Sequence, residues 1–118
     1  MTRVLVVEDD PNLQRLYVRN LEKEGAEVDA AAGLAEVDEL LVNEVYDMIL
    51  CDVQLTDGDS LGLMQRLHEE GVPVVAISSD GGYARVIQEI GVDRFFVKPV
   101  NAQTLADCLE DVLGGASA

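Results

Sequence analysis

The chain of 118 residues carries 23 acidic and 8 basic side chains, which give a formal net charge of −15. A surface this acidic repels phosphate backbones and anionic lipids, so neither a nucleic acid nor a membrane is expected as a partner. A metal cation or a basic protein surface would complement the charge. Hydrophobic residues make up 48% and aromatic residues 4% of the chain, which suits one domain around an aliphatic core.

The cysteines and the N terminus do not indicate secretion. Cys51 and Cys108 lie at apolar positions, and their spacing matches no metal-binding or redox motif. We therefore expect two small, buried thiols in a reducing compartment. The first residues lead directly into a short apolar strand rather than a signal peptide, and no apolar run approaches the length of a membrane span. The expected location is the cytoplasm.

Strand and helix patterns alternate along the chain. Four short, mainly apolar runs predict strands at residues 3–7, 47–52, 73–77 and 94–97, and a weakly alternating segment predicts another at residues 27–31. Five segments with apolar side chains at helical spacing follow them, and these begin near Pro11, Gly33, Ser60, Tyr83 and Ala102. This alternation predicts a doubly wound parallel sheet with helices on both faces. We expect the domain to span residues 1–113 and the small residues 114–118 to form a flexible tail.

Polar residues follow the predicted strands at the points where the strands end. Because the carboxyl ends of parallel strands share one edge, and ligands bind at that edge in open α/β sheets, we expect these side chains to meet. An isolated aspartate at a strand end is more typical of a turn, so the prediction depends on the whole group. Its members are Glu8 and Asp9 after the first strand, Asp52 at the end of the third, Ser78 after the fourth and Lys98 after the fifth.

The three carboxylates of this group need a partner of opposite charge. Two unit charges ~4 Å apart repel by about 4 kcal/mol at an effective dielectric constant of about 20. A hard divalent cation with oxygen ligands removes that repulsion, so Mg²⁺ (or Mn²⁺) is the expected cofactor. An aspartate nucleophile beside a cation, a lysine and a hydroxyl suits the transfer of a phosphoryl group.

Four motifs, in order and over nearly the whole chain, resemble the receiver domain of two-component response regulators, the CheY-like family. They are Val6-Val7-Glu8-Asp9-Asp10-Pro11, Ile49-Leu50-Cys51-Asp52, Val75-Ala76-Ile77-Ser78 and Phe96-Val97-Lys98-Pro99. The resemblance implies a flavodoxin-like (βα)5 fold with strand order 2-1-3-4-5. It also implies that Asp52 accepts a phosphoryl group from a phospho-histidine of a sensor histidine kinase or a histidine phosphotransfer protein.

The resemblance also assigns roles to the remaining site residues. Glu8 and Asp9 would bind Mg²⁺, with Asp9 the more direct ligand, together with Asp52 and the backbone carbonyl of Gln54. Lys98 would pair with the phosphate. Such a domain is a phosphoacceptor with Mg²⁺-dependent self-phosphorylation and autodephosphorylation, and not a turnover enzyme.

Signal transmission is implied for a second set of residues. Ser78 matches the switch hydroxyl, and Phe95 matches an aromatic side chain that changes rotamer on activation. The Lys98–Pro99 bond is cis in the family. The face formed by the fourth helix, fifth strand and fifth helix is the expected surface for a downstream protein or a second copy of the chain. We place Tyr83, Ile87, Phe95 and Asn101 on it.

Three other functions are compatible with the same patterns. A flavin-binding flavodoxin shares the fold, although the acidic loop after the first strand would repel its phosphate. An aspartyl phosphatase shares the site residues but places its nucleophile on the first strand. An interaction module without phosphorylation would keep the fold alone.

The chain departs from the family pattern in the loop after Asp52 and at the switch residue. Thr56 stands where Pro is frequent, Ser60 where Gly is frequent, and Phe95 where Tyr is frequent.

Overall fold

Five parallel strands form the sheet that the sequence patterns predict. They are β1 (Arg3–Val7), β2 (Glu27–Ala31), β3 (Met48–Asp52), β4 (Val74–Ser78) and β5 (Arg94–Val97). Their order across the sheet is β2-β1-β3-β4-β5, and every neighbouring pair is parallel. The predicted order 2-1-3-4-5 and the flavodoxin-like fold are therefore confirmed. The computed structural model describes residues 1–114.

Five helices connect the strands. They are α1 (Pro11–Lys23), α2 (Leu34–Asn43), α3 (Leu61–Glu69), α4 (Ala84–Glu89) and α5 (Ala102–Gly114). Asp10 caps α1, since its carboxylate accepts hydrogen bonds from the Asn12 and Leu13 amides at 2.9 and 3.2 Å. Gly114, predicted to begin the tail, is the last residue of α5; residues 115–118 lie outside the described part, so the flexible tail stays a prediction.

Two local features differ from the predicted pattern. Tyr83 does not begin α4, because it lies in a 3-10 turn, Gly81–Tyr83, that precedes the helix. A hairpin of two-residue strands, Gln54–Leu55 and Gly58–Asp59, follows β3 where only a turn was expected. Both lie in loops at the carboxyl edge of the sheet, where local turn chemistry decides the backbone path.

The core has two layers, one on each face of the sheet. Successive residues of a strand point to opposite faces, so Leu5 packs with Val37 of α2 and Met64 of α3, whereas Val6 packs with Tyr17 of α1 and Leu105 of α5. Cys51 and Cys108 are buried free thiols, as predicted. Ile87 was wrongly placed on the exposed partner surface: it is fully buried, because α4 turns this side chain into the first of these two layers.

The two edge strands are less buried than predicted. Residues of β1, β3 and β4 are almost all buried, whereas β2 begins with an exposed residue and β5 ends with one. Because β5 has a neighbour on one side only, Val97 remains 53% exposed.

Within residues 1–114, no helix is both long enough and apolar enough to cross a bilayer.

Candidate functional site

Parallel pairing of β1 with β3 brings three carboxylates together at the carboxyl edge of the sheet. Val7, the last residue of β1, lies opposite Cys51, so Glu8 and Asp9 emerge beside Asp52. One oxygen from each of Glu8, Asp9 and Asp52 lies within 4.8 Å of the other two. The cluster is partly enclosed, since Glu8 is 0% and Asp52 2% exposed, whereas Asp9 is half-buried. The predicted meeting of the three carboxylates is confirmed.

Lys98 bridges the two buried carboxylates from the end of β5. Its Nζ atom lies 2.5 Å from Asp52 Oδ2 and 3.0 Å from Glu8 Oε1. The Glu8 carboxylate also accepts a hydrogen bond of 3.1 Å from the Asp10 amide, and Asp52 Oδ1 accepts one of 3.2 Å from the Gln54 amide. One ammonium thus contacts both buried carboxylates and compensates one of their two negative charges.

The electrostatics of the site favour an additional positive charge. Burial raises the pKa of the Glu8 carboxyl to about 7, and the charge of Asp52 adds to this effect against hydrogen bonds from Asp10 and Lys98. Burial works against the charged form of Lys98, but hydrogen bonds to Asp52 and Glu8 outweigh it and raise its pKa. Three ionised carboxylates face one ammonium, so the ionised site carries an uncompensated negative charge.

Ser78 is the last residue of β4, and both its hydroxyl and its carbonyl accept backbone hydrogen bonds from nearby loops. Its fully buried hydroxyl accepts a hydrogen bond of 3.0 Å from the Asp80 amide, and its carbonyl accepts one of 2.9 Å from the Lys98 amide. Phe95 is half-buried against the core on the side of α2, α3 and α4. The Lys98–Pro99 peptide bond is cis, as the resemblance implies.

Two contacts of the loop after Asp52 were missed by sequence reasoning. Asp59 or Ser60 was expected to cap α3, and it is the Asp59 carboxylate that accepts a hydrogen bond from the Leu61 amide at 3.1 Å. The fully buried Ser60 hydroxyl donates instead to the backbone oxygen of Asp52 at 2.6 Å. Thr56 donates its hydroxyl to Asp9 Oδ2 at 2.8 Å. The only signal for either was a hydroxyl residue at a loop position where the family pattern has Gly or Pro.

Tyr17 is a third residue whose role was missed, because its helical spacing indicated only core packing. Its hydroxyl accepts a hydrogen bond of 3.2 Å from the Val100 amide, directly after Pro99. The side chain is fully buried, so this bond satisfies a polar group inside the core. It connects α1 to the segment that carries Lys98.

The donor set of the cluster is suited to a hard divalent cation. Carboxylate and carbonyl oxygens are the ligands that Mg²⁺ prefers, and it retains water and binds phosphate oxygens in its remaining positions. The residues present therefore fit the expected cofactor. Asp52 has the buried carboxylate, and Lys98 the cation, that a phosphoryl-accepting site needs.

Comparison with known proteins agrees with this chemistry. Residues 4–110 match the family model of the response regulator receiver domain. A chemotaxis protein CheY homolog of Campylobacter jejuni is 30% identical over 123 residues, which cover 98% of this chain and 95% of that protein.

Solved structures give the same fold. A two-component response regulator from Clostridium difficile has a TM-score of 0.91 at 21% identity, with 100% of both chains covered. The response regulator TrrA from Thermotoga maritima, solved in complex with Mg²⁺-BeF, has a TM-score of 0.81 at 24% identity and covers 95% of this chain and 99% of its own. Because the family model matches almost the entire length of this chain, the chain belongs to the response regulator receiver domains of two-component systems.

Proposed function

We propose that Asp52 is the phosphoacceptor of this receiver domain. The single observation that supports this most strongly is the contact between Lys98 and the buried Asp52 carboxylate, next to Glu8 and Asp9. A lysine at this position neutralises the acceptor carboxylate in the resting site and can then pair with an oxygen of the incoming phosphoryl group.

The chemical step is a transfer between two side chains. An oxygen of Asp52 forms a bond to phosphorus while the N–P bond of a phospho-histidine breaks, and the electron pair of that bond leaves with the imidazole. We propose that Glu8, Asp9, Asp52 and the Gln54 carbonyl hold Mg²⁺. Bound Mg²⁺ supplies positive charge against the phosphoryl oxygens. The phospho-histidine belongs to a sensor histidine kinase or a histidine phosphotransfer protein, and the chain takes up one phosphoryl group rather than turning over a substrate.

Transmission of the signal is proposed to begin at Ser78. A phosphoryl group adds about −1.5 to −2 charges and three acceptor oxygens. The Ser78 hydroxyl can donate to one of them if it gives up the hydrogen bond from the Asp80 amide, which moves the loop before α4. Phe95 would then move into the vacated space, and the surface of α4, β5 and α5 would change for a downstream protein or a second copy of the chain.

The alternatives are less well supported by the site. A flavin phosphate would meet Glu8 and Asp9 at the loop after β1, and like charges repel. An interaction module without phosphorylation would not need Lys98 to bridge two buried acids. We also propose a cytoplasmic location, where the free thiols of Cys51 and Cys108 stay reduced.

Incubation with acetyl phosphate and Mg²⁺, followed by intact-protein mass spectrometry, tests the proposal. We expect one added phosphoryl group, and no addition when a chelator has removed the metal before the phosphodonor is added. Asp52→Asn keeps the shape of the side chain and should remain unmodified. Equal incorporation in Asp52→Asn and in the unaltered protein would contradict the assignment.

A further inference from the structure

The loop that follows Asp52 forms hydrogen bonds in two directions. Thr56 donates its hydroxyl to Asp9 Oδ2 at 2.8 Å. The next residue, Asp57, accepts hydrogen bonds from the amides of Leu34 at 3.0 Å and Ala35 at 3.3 Å, in the first turn of α2. We name Thr56 and Asp57 together the Thr56–Asp57 clip. The clip connects Asp9, a proposed metal ligand, to the N terminus of α2.

The end of α2 that receives the clip has no cap of its own. Its N-cap residue is Gly33, which has no side chain, so Asp57 provides the capping carboxylate from a distant part of the chain. The hydrogen bond from the Leu34 amide, with that from Ala35, lowers the pKa of the Asp57 carboxyl. The ionised form is the one that satisfies free amides at a helix N terminus.

The contact with Asp57, and not the backbone conformation, explains why position 33 has no side chain. Its φ angle of −162° is extended and open to any residue. A Cβ atom at position 33, however, would lie 2.8 Å from both carboxylate oxygens of Asp57. Glycine therefore leaves the space into which Asp57 fits, and a methyl group there would push the carboxylate away from α2.

We propose that the Thr56–Asp57 clip positions Asp9 for metal binding and couples the metal site to the N terminus of α2. Thr56 restricts the orientation of the Asp9 carboxylate before the cation arrives, and Asp57 restricts the position of Thr56. Since coupling between two sites is reciprocal, a cation on Asp9 also stabilises the cap on α2. The inference rests on the proposed function, because it requires that Asp9 bind Mg²⁺.

Calorimetric titration with Mg²⁺ alone tests the coupling from both ends of the clip. Thr56→Val removes the hydroxyl at nearly constant volume and should weaken Mg²⁺ binding about tenfold, the lower end of the range for partners of metal ligands. Gly33→Ala displaces Asp57 and should weaken binding to a smaller extent. Gly62→Ala is the matched control, because a Cβ at position 62 meets nothing within 4 Å, and it should bind like the unaltered protein. Thr56→Ser, in contrast to Thr56→Val, retains a hydroxyl and should bind Mg²⁺ as tightly as the unaltered protein.

Amide spectra provide a readout that is independent of phosphorylation. Addition of Mg²⁺ should shift the Leu34 and Ala35 amide resonances in the unaltered protein, and this response should be lost in Thr56→Val. Failure of the unaltered protein to bind Mg²⁺ would overturn the proposed function and the coupling together. If it binds Mg²⁺, but Thr56→Val and Gly33→Ala bind equally tightly and Leu34 and Ala35 do not respond, only the coupling is overturned.

Discussion

Lys98 maintains the shape of the site when no cation is bound. Its ammonium group contacts Glu8 and Asp52, which are almost completely buried, so two charges that would otherwise repel are held together by a third. Breaking such a buried contact leaves a charge without a partner, which is costly. The family resemblance implied that Lys98 pairs with a phosphate, but its simultaneous contact with two carboxylates depends on their spacing in the fold.

Asp9 brings a third carboxylate within 4.8 Å of the oxygens of Glu8 and Asp52. Asp9→Asn removes one charge from the cluster while an amide oxygen remains available to Thr56. We expect the metal-free variant to be more stable by about 1 kcal/mol, or roughly 4 °C in Tm for a domain of this size. We also expect weaker Mg²⁺ binding. Thermal melts with and without Mg²⁺ measure both effects, and a metal-free Tm no higher than that of the unaltered protein would contradict the repulsion.

Ser60 stabilises the strand end that carries Asp52. Its buried hydroxyl donates to the Asp52 carbonyl, so Ser60→Ala leaves that carbonyl without this partner. We expect a loss of about 1–2 kcal/mol in the free energy of unfolding, measured by urea denaturation. Ser79→Ala, at an exposed position, is the matched control and should change little. A Ser60→Ala variant as stable as this control would show that the bond contributes nothing.

At the scale of elements, the strands were easier to predict than the loops between them. All five strands were predicted within one residue at each end. Apolar runs identified the central strands, because a sheet covered on both faces excludes polar residues, whereas β2 was identified by weak alternation. The hairpin after β3 and the 3-10 turn before α4 have no comparable signal. Contacts such as Thr56 with Asp9 join residues 47 positions apart, so no local pattern indicates them.

The loop between β4 and α4 is the element through which we expect the signal to leave the site. Ser78→Ala should still accept a phosphoryl group on Asp52, since Lys98 contacts the acceptor without help from Ser78. It should not transmit the change to residues 83–105, because the hydroxyl that moves the loop is absent. Amide spectra with and without beryllofluoride measure this response, with Ser79→Ala as control. Shifts equal to those of the unaltered protein in the alanine variant would show that Ser78 is not the relay.

At the scale of the whole molecule, the fold concentrates the chemistry at one edge of the sheet. Three strand ends contribute Glu8 and Asp9, Asp52, and Lys98, while both faces of the sheet are covered by helices. The alternation of strands and helices predicted this shared edge, and the family resemblance predicted the strand order. How exposed the residues of the two edge strands are, and that Ile87 is buried, depended on the assembled structure.

The central claim is that Asp52, and no other carboxylate in the cluster, carries the phosphoryl group. Borohydride reduces an acyl phosphate to an alcohol, so a phosphorylated aspartate becomes homoserine. After treatment with acetyl phosphate and Mg²⁺, reduction and peptide sequencing by mass spectrometry should find homoserine at position 52 and unmodified Glu8 and Asp9. Reduction at Asp9, or at a carboxylate outside the cluster with Asp52 intact, would contradict the account.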